Sequence, residues 1–365
     1  MSVARPDACD ATLARSIPSH WMGGVWWGRW IFFGLVVLLT DLRGAETPEN
    51  DDFVKVRARV IIDNDFGGDP DGLFQLAHQL LSPSVEVRGV IGSHHYATGF
   101  YGNSGDAENA CAAIRELLGV MNLAGKVPVY QGAEERIGGD GAAVSSEAAL
   151  FIVREAMRED VKTPLYIACG AGLTDLASAY LLEPKIAPRI RLVWIGGYEH
   201  PGLASPPPGG QKIEYNLGID LKAGQVVFNQ SEIPIWQVPR DAYRQALVSN
   251  AELSHRMNEH RPLAGFLLGE LRDLQKRAKG SLGETYVLGD NPLVLLTALQ
   301  SSWEQDPSSC RYTSRLTPKI SEHGLYEDNS QSRPMRIYTH LDTRLMFEDF
   351  FAKVAWFDRR SETGK

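Results

Sequence analysis

Apolar residues along this chain fall into two alternating rhythms. Short continuous runs rich in β-branched residues give way to stretches in which apolar positions recur every three or four residues. Residues 60–62, 85–93 (VEVRGVIGS), 127–132 (VPVYQG), 164–170 (PLYIACG), 190–197 (IRLVWIGG) and 233–239 (IPIWQVP) read as strands. Helical spacing marks residues 73–81, 106–118, 145–159 with a Ser cap, and 173–183. Strands that are continuously apolar, rather than alternating, are buried on both faces, which is the habit of parallel sheets. Strand and helix alternating at this spacing imply right-handed βαβ units. The predicted class is therefore α/β: an open, mainly parallel sheet with helices on both faces. Residues 311–339 predict a β-hairpin with a polar turn, and 341–356 a closing helix. No repeat or low-complexity linker interrupts residues 50–300, so 46–365 is expected to be a single domain.

The N-terminus follows another logic. Residues 30–40 are an unbroken apolar run, preceded by Arg29 and followed by DLRGAET. Eleven residues suit the core of a signal peptide and are too few to span a bilayer. Residues 1–45 are expected to be a leader cleaved near Ala45, with translation starting at Met22 as the reading that gives a compact signal. Export to a periplasmic or extracellular location follows, with no stable membrane partner afterwards; the alternative is an uncleaved anchor. The whole chain carries a net charge of −8, and removing the leader's four arginines and three aspartates leaves −9. A surface of that sign does not attract polynucleotide phosphate, which argues against a nucleic-acid partner. Beyond the leader, Cys111, Cys169 and Cys310 are an odd, scattered set without CxxC spacing, so neither a disulfide framework nor a zinc site is expected.

The candidate chemistry lies where the first strand ends. In VIIDNDFGGDPDG, Asp63, Asp65, Asp69 and Asp71 crowd into one strand-to-helix loop, at the edge where open α/β sheets bind their ligands. One or two aspartates there would be a turn or a helix cap. Four repel one another and raise one another's pKa unless a cation neutralises them, and hard oxygen donors in an irregular loop suit Ca²⁺. An EF-hand is excluded, because it would need an acid at Gly67 and would not follow a buried strand. An aspartyl phosphotransferase using Asp63 or Asp65 is a third reading, although no later Lys reads clearly as its phosphate holder.

VIIDNDFGGDPDG resembles the N-terminal aspartate signature of the inosine-uridine nucleoside hydrolases, DxDPGxDD after the first strand. The resemblance extends through VPVYQGA, through ACGAGLTDLASAYLLEPKIAPRIRLVWIGG with Ile195 where Met is usual, through EYNLGIDLKAGQVVFN, and through LGDNPLVLLTAL. It implies a Rossmann-like core and Ca²⁺-dependent hydrolysis of an N-glycosidic bond by metal-activated water on a ribonucleoside or related ribosyl compound. By the same resemblance Asp65 touches the ion and takes the proton from water. Asp290 and the carbonyl of Gly170 complete the ion's shell, and Glu214 and Asn216 hold the sugar hydroxyls. Homo-oligomerisation is compatible with this reading.

Three departures shape the expectation. The loop carries one extra residue: either Asp71 matches the first acid of the family's pair and Gly72 falls on a ligand position, or Pro70 is the insertion, Asp69 serves the sugar and Asp71 the ion. The second alignment is preferred because no ligand is then missing. Gly289 stands where many members carry the His that protonates the leaving base; His94, His95 and His200, in loops after strands, are the substitutes considered, with His95 counted among the substrate-binding residues. The Pro-rich ASPPPGGQK replaces the family's aglycone-side segment. Tyr215 is the favoured stacking residue, whereas Trp236 reads as core. A non-catalytic or glycan-directed Ca²⁺-dependent sugar-binding relative is the alternative function.

Overall fold

The computed structural model describes residues 54–96, 99–101, 105–279, 283–301 and 309–363. These belong to a compact unit, Asn50–Lys365. The expected leader, residues 1–45, lies outside the described residues. Among those described, no helix is long and apolar enough to cross a membrane.

The sheet grows outward from β1 (Ala58–Asn64), every residue of which is buried. Its alternation divides the core: Val60 and Ile62 belong to one apolar cluster, Ile61 to another on the opposite face. In chain order there follow α1 (Asp71–Leu80), β2 (Val85–Gly92), α2 (Ala107–Val120), β3 (Val129–Gln131), α3 (Glu147–Ala156), β4 (Leu165–Cys169), α4 (Thr174–Leu182) and β5 (Ile190–Ile195). Two short helices, α5 (Tyr215–Ile219) and α6 (Leu221–Gln225), lead to β6 (Ile235–Val238) and α7 (Arg240–Tyr243). The Val60 face is covered by α1 and α2, the Ile61 face by α3 and α4. This is the doubly covered, open α/β sheet that the apolar runs predict.

Trimmed strand ends have local causes. The third strand is expected at 127–132 but is only Val129–Gln131, because Pro128 has no N–H to donate; its carbonyl still accepts from the Val90 N–H at 2.9 Å. The helix after it begins at Glu147, since the Ser146 hydroxyl accepts from the Ala149 N–H at 2.9 Å and so caps it.

From here the chain builds what its pattern announces least. A two-stranded antiparallel sheet joins β7 (Leu247–Ser249) to β8 (Thr285–Val287), with α8 (Asn250–Arg256) and α9 (Pro262–Arg277) between them and α10 (Pro292–Thr297) after. The expected hairpin is present as β9 (Arg311–Leu316) against β12 (Pro334–His340), and a small pair, β10 (Lys319–Ile320) with β11 (Tyr326–Glu327), fills its long turn. Because β12 also lies parallel to β6, the hairpin forms the sheet's edge. The closing helix α11 (Thr343–Thr363) continues past Trp356.

Strand order is β3-β2-β1-β4-β5-β6-β12-β9, and only the β12–β9 pairing is antiparallel. The chain moves from β1 outward through β2 to β3, then returns to the other side of β1 with β4. That reversal opens a crevice beyond the carboxyl ends of β1 and β4.

A buried ion pair anchors the opposite end of β1. Arg59 donates to Glu155 at 2.6 Å and to the Thr163 carbonyl at 3.0 and 3.1 Å, with both charged residues 5% exposed. Glu155→Ala would strand a guanidinium in the interior. We expect it to cost roughly 3 kcal/mol in urea denaturation, while Glu159→Ala, whose carboxylate is exposed, changes stability little.

Candidate active site

The crevice holds a cavity of about 170 Å³. Asp65, Asp69 and Asp71 enter it from the β1–α1 loop, Gly170 from the end of β4, and Ile195 from the end of β5. Glu214, Tyr215 and Asn216 come from the start of α5, Tyr243 from the end of α7, and Val287, Gly289 and Asp290 from the stretch linking β8 to α10; Phe100 closes one side. Asp65 and Gly170 follow a strand directly and Ile195 and Val287 end one, so the sheets fix these backbones.

Hydrogen bonds fix the side chains. Asn64, last in β1, donates from Nδ2 to Asp290 Oδ2 at 2.9 Å and accepts the Asp65 N–H at 2.9 Å, tying both halves of the site. The Gly170 N–H donates to the Asp63 carbonyl at 2.9 Å, prolonging the β1–β4 pairing. A Cβ at Gly170 would stand 2.6 Å from Asn64 Nδ2 and 2.7 Å from Asp290 Oδ1, so only glycine fits. Tyr286 donates to Asp69, which also accepts the Asp71 N–H at 3.1 Å. Glu214 caps α5 by accepting the Leu217 N–H at 3.0 Å, and takes further bonds from the Gly197 N–H at 2.7 Å and the Tyr243 hydroxyl at 3.0 Å. Asn216 spends its amide donors on the carbonyls of Gly170 (3.0 Å) and Ile195 (2.8 Å), which leaves its Oδ1 as an acceptor at the cavity. Tyr215 meets Tyr96 edge-on at 5.0 Å between ring centroids and Phe100 at 6.1 Å, an aromatic wall beside the acids.

Charge dominates the cavity. Burial, then the charges of Asp290 and Asp69, push the Asp65 carboxyl well above the usual range. Burial followed by Asp290, Asp69 and Asp65 does the same to Asp71. Burial raises Asp69, Asp290 and Glu214 too, against the hydrogen bonds that favour their ionised forms. Among the described residues no group of three or more acidic, His or Cys side chains is arranged as a formed metal shell. The acids are instead spread around the wall, Asp69 held by Tyr286 and Asp290 by Asn64. The donors are nevertheless all hard oxygens crowded at high local negative charge, the chemistry that a divalent ion such as Ca²⁺ prefers.

The structure thus brings together Asp65, Asp69, Asp71, Gly170, Glu214, Tyr215, Asn216 and Asp290, all named from the sequence. From this loop Asp69 and Asp71 stand with Asp65 and Asp290 in the cavity lining, and Gly72 does not. The histidines lie elsewhere. His95 is buried behind the loop, its Nε2 facing Gly68 outside the cavity lining. His94 bonds the Ala133 carbonyl at 2.8 Å, and His200 bonds Gln237 at 2.8 Å. Asp63, still within β1, turns from the cavity and accepts from Ser93 beside Asp175. Trp236 is core, packed against Tyr166 and Tyr338.

Sequence reasoning missed Asn64, Phe100, Tyr243 and Tyr286. Asn64 stood between two named aspartates, where its place in the strand-end loop could have drawn attention. Tyr286 carried no signal, because the small β7–β8 sheet that delivers it has only three residues per strand.

A model of the inosine-uridine preferring nucleoside hydrolase family matches residues 60–348. The inosine-uridine preferring nucleoside hydrolase of Leishmania major is 28% identical over 214 residues, 57% of this chain, and the match spans 63% of that relative's length. Among solved structures, a plant nucleoside hydrolase superposes with a TM-score of 0.62 at 15% identity, covering 82% of this chain and 99% of that one. A purine-preferring ribonucleoside hydrolase from Gardnerella vaginalis gives 0.62 at 17% identity, with the same coverage. These structural likenesses are of fold.

Carboxyls whose folded pKa is raised contribute stability below their unfolded pKa and lose it as pH rises through the folded value. At pH 8 whatever part of the cluster is ionised is therefore a strain on the metal-free protein. Asp71→Asn is expected to raise its stability there by about 1 kcal/mol, and the gain should shrink as pH falls toward 4. Thermal denaturation across pH checks this; a gain independent of pH would contradict the repulsion.

Proposed function

Because the chain belongs to the inosine-uridine preferring nucleoside hydrolase family, we propose that it hydrolyses the N-glycosidic bond of a ribonucleoside or related ribosyl compound. The observation that carries this reading is the single cavity in which Asp65, Asp71 and Asp290 meet a sugar-sized set of acceptors on Glu214 and Asn216. We assign a Ca²⁺ ion to Asp65, Asp71, Asp290 and the Gly170 carbonyl; when bound it supplies the positive charge that lowers the pKa of water and draws in sugar hydroxyls.

The chain's own groups do the rest. Asp65, ionised once its neighbours' charges are offset, accepts the proton of the water that attacks C1′. Glu214 holds one rotamer through three hydrogen bonds, and its free lone pairs accept from ribose hydroxyls. Asn216 Oδ1 accepts from a further hydroxyl, and Asp69, fixed by Tyr286, serves the same purpose. Tyr215 and Phe100, their rings set at 86° to one another, give an aromatic corner for a base. Gly289 leaves open the space beside Tyr243, and a Cβ there would lie 3.2 Å from Asp71 Oδ2. Export of the protein, supported by the apolar run at residues 30–40, belongs to the same proposal.

One observation favours a second reading. No imidazole lines the cavity among the described residues, so the histidine that would protonate a departing base has no counterpart there. A protein that binds a sugar with Ca²⁺ and does not turn it over would have the same acids.

Ribose release from a panel of nucleosides, with Ca²⁺ and with chelator, separates the two. The proposal predicts chelator-sensitive release that falls by about 10³-fold in Asp65→Asn with thermal stability retained. Calcium-dependent binding without release from any nucleoside would replace it with the binding reading, and activity unchanged in Asp65→Asn would remove Asp65 from the chemistry.

A further inference from the structure

A second hollow of about 330 Å³ adjoins the acidic cavity, sharing Tyr215 and Tyr243 with it. Its walls are the turn at residues 207–211 together with Arg240 and Arg244. The turn is built rather than loose: the Gly210 N–H donates to the Pro207 carbonyl at 3.0 Å, Gly209 takes a φ of +70° open to glycine, and Arg240 Nη1 holds the Gln211 carbonyl at 3.0 Å. Arg240 is itself 7% exposed and gripped by Glu199 through two bonds of 2.7 Å. Five N–H donors on a guanidinium exceed the three that these bonds use. Arg244, at the end of the same helix, is exposed, and among the described residues no hydrogen bond or ion pair engages its guanidinium.

Charge is segregated between the two hollows. Asp65, Asp69, Asp71, Glu214 and Asp290 line the first, and among the described residues no carboxylate lines the second. An anionic end finds carboxylates in the first and two guanidiniums in the second, which favours one orientation of such a ligand. Building on the ribosyl-hydrolysing reading of the acidic cavity, we infer that the substrate is an anionic ribosyl compound, whose phosphate or carboxylate group is taken by Arg244 and the remaining donors of Arg240 while its ribose sits among the acids. A guanidinium pair suits either oxyanion. Two sources share this chemistry: a phosphate on the ribose 5′ oxygen and a carboxylate on the base.

Uridine, uridine 5′-monophosphate and orotidine separate them. Binding is measured by calorimetry in Ca²⁺ on the Asp65→Asn protein, where turnover is silenced, with and without Arg244→Glu. The inference expects one charged ligand to bind at least ten-fold tighter than uridine, with Arg244→Glu erasing at least ten-fold of that preference; which ligand gains identifies the source. It is overturned if uridine binds within three-fold of both charged ligands, or if the preference survives Arg244→Glu. Turnover of the same three compounds by the unaltered protein is read separately, because its absence bears on the hydrolytic reading and leaves the binding comparison to decide the subsite.

Discussion

Mutual repulsion among Asp65, Asp69, Asp71, Glu214 and Asp290 is the constraint to which the rest of this molecule answers. Burial pushes each toward its neutral form, and neighbouring charges add to this at Asp65, Asp71 and Asp290; a flexible scaffold would relieve the crowding by moving apart. Relief is blocked here because the acids stand on a rigid edge. The Gly170 N–H extends the ladder between β1 and β4, and the fit around Gly170 leaves no room for a side chain. Tyr286, Asn64 and the backbone N–H groups around Glu214 then hold individual carboxylates in place. The strain is local and electrostatic, and it is carried by a sheet whose central strand is wholly buried.

The same economy of parts gives the sugar contacts their precision. Glu214 ends the loop after β5 and caps α5, so one carboxylate serves as helix cap, as acceptor of the Tyr243 hydroxyl and as cavity wall. Asn216, one helical step further, turns its donors toward two strand-end carbonyls and presents only an acceptor. Both side chains are thus specified by what they bond behind themselves. Arg240 plays a matching role on the neighbouring wall, where the Glu199 pair neutralises it and its bond to Gln211 shapes the proline-rich turn.

Much of this was legible in the chain, and the limits have physical reasons. Continuous β-branched runs identify strands covered on both faces, and the strand-end aspartates identify the binding edge, because burial and helix spacing leave a strong one-dimensional trace. Asp290, more than two hundred residues from Asp63, became readable only through the resemblance of several ordered segments. Tyr243 and Tyr286 were not readable, since aromatic residues near short strands look like ordinary core. The histidines misled for the opposite reason: their position after strands suggested reach into the site, whereas His94 and His200 are occupied by Ala133 and Gln237. Register within β1 also escaped the pattern. Asp63 and Asp65 read as a pair, but the former still belongs to the strand and bonds Ser93, while the latter lies beyond it.

The Asn64–Asp290 bond joins residues 226 apart in sequence. Closing so long a loop is entropically costly and comes late when a chain assembles from local units outward. A nascent chain therefore carries its first three cavity aspartates through most of synthesis without Asn64's partner, and the β1–α1 loop faces solvent while its charges are still hydrated. Asp290 joins the loop's aspartates only when the segment before α10 docks, so its share of the repulsion arrives with a contact that closes 226 residues of chain.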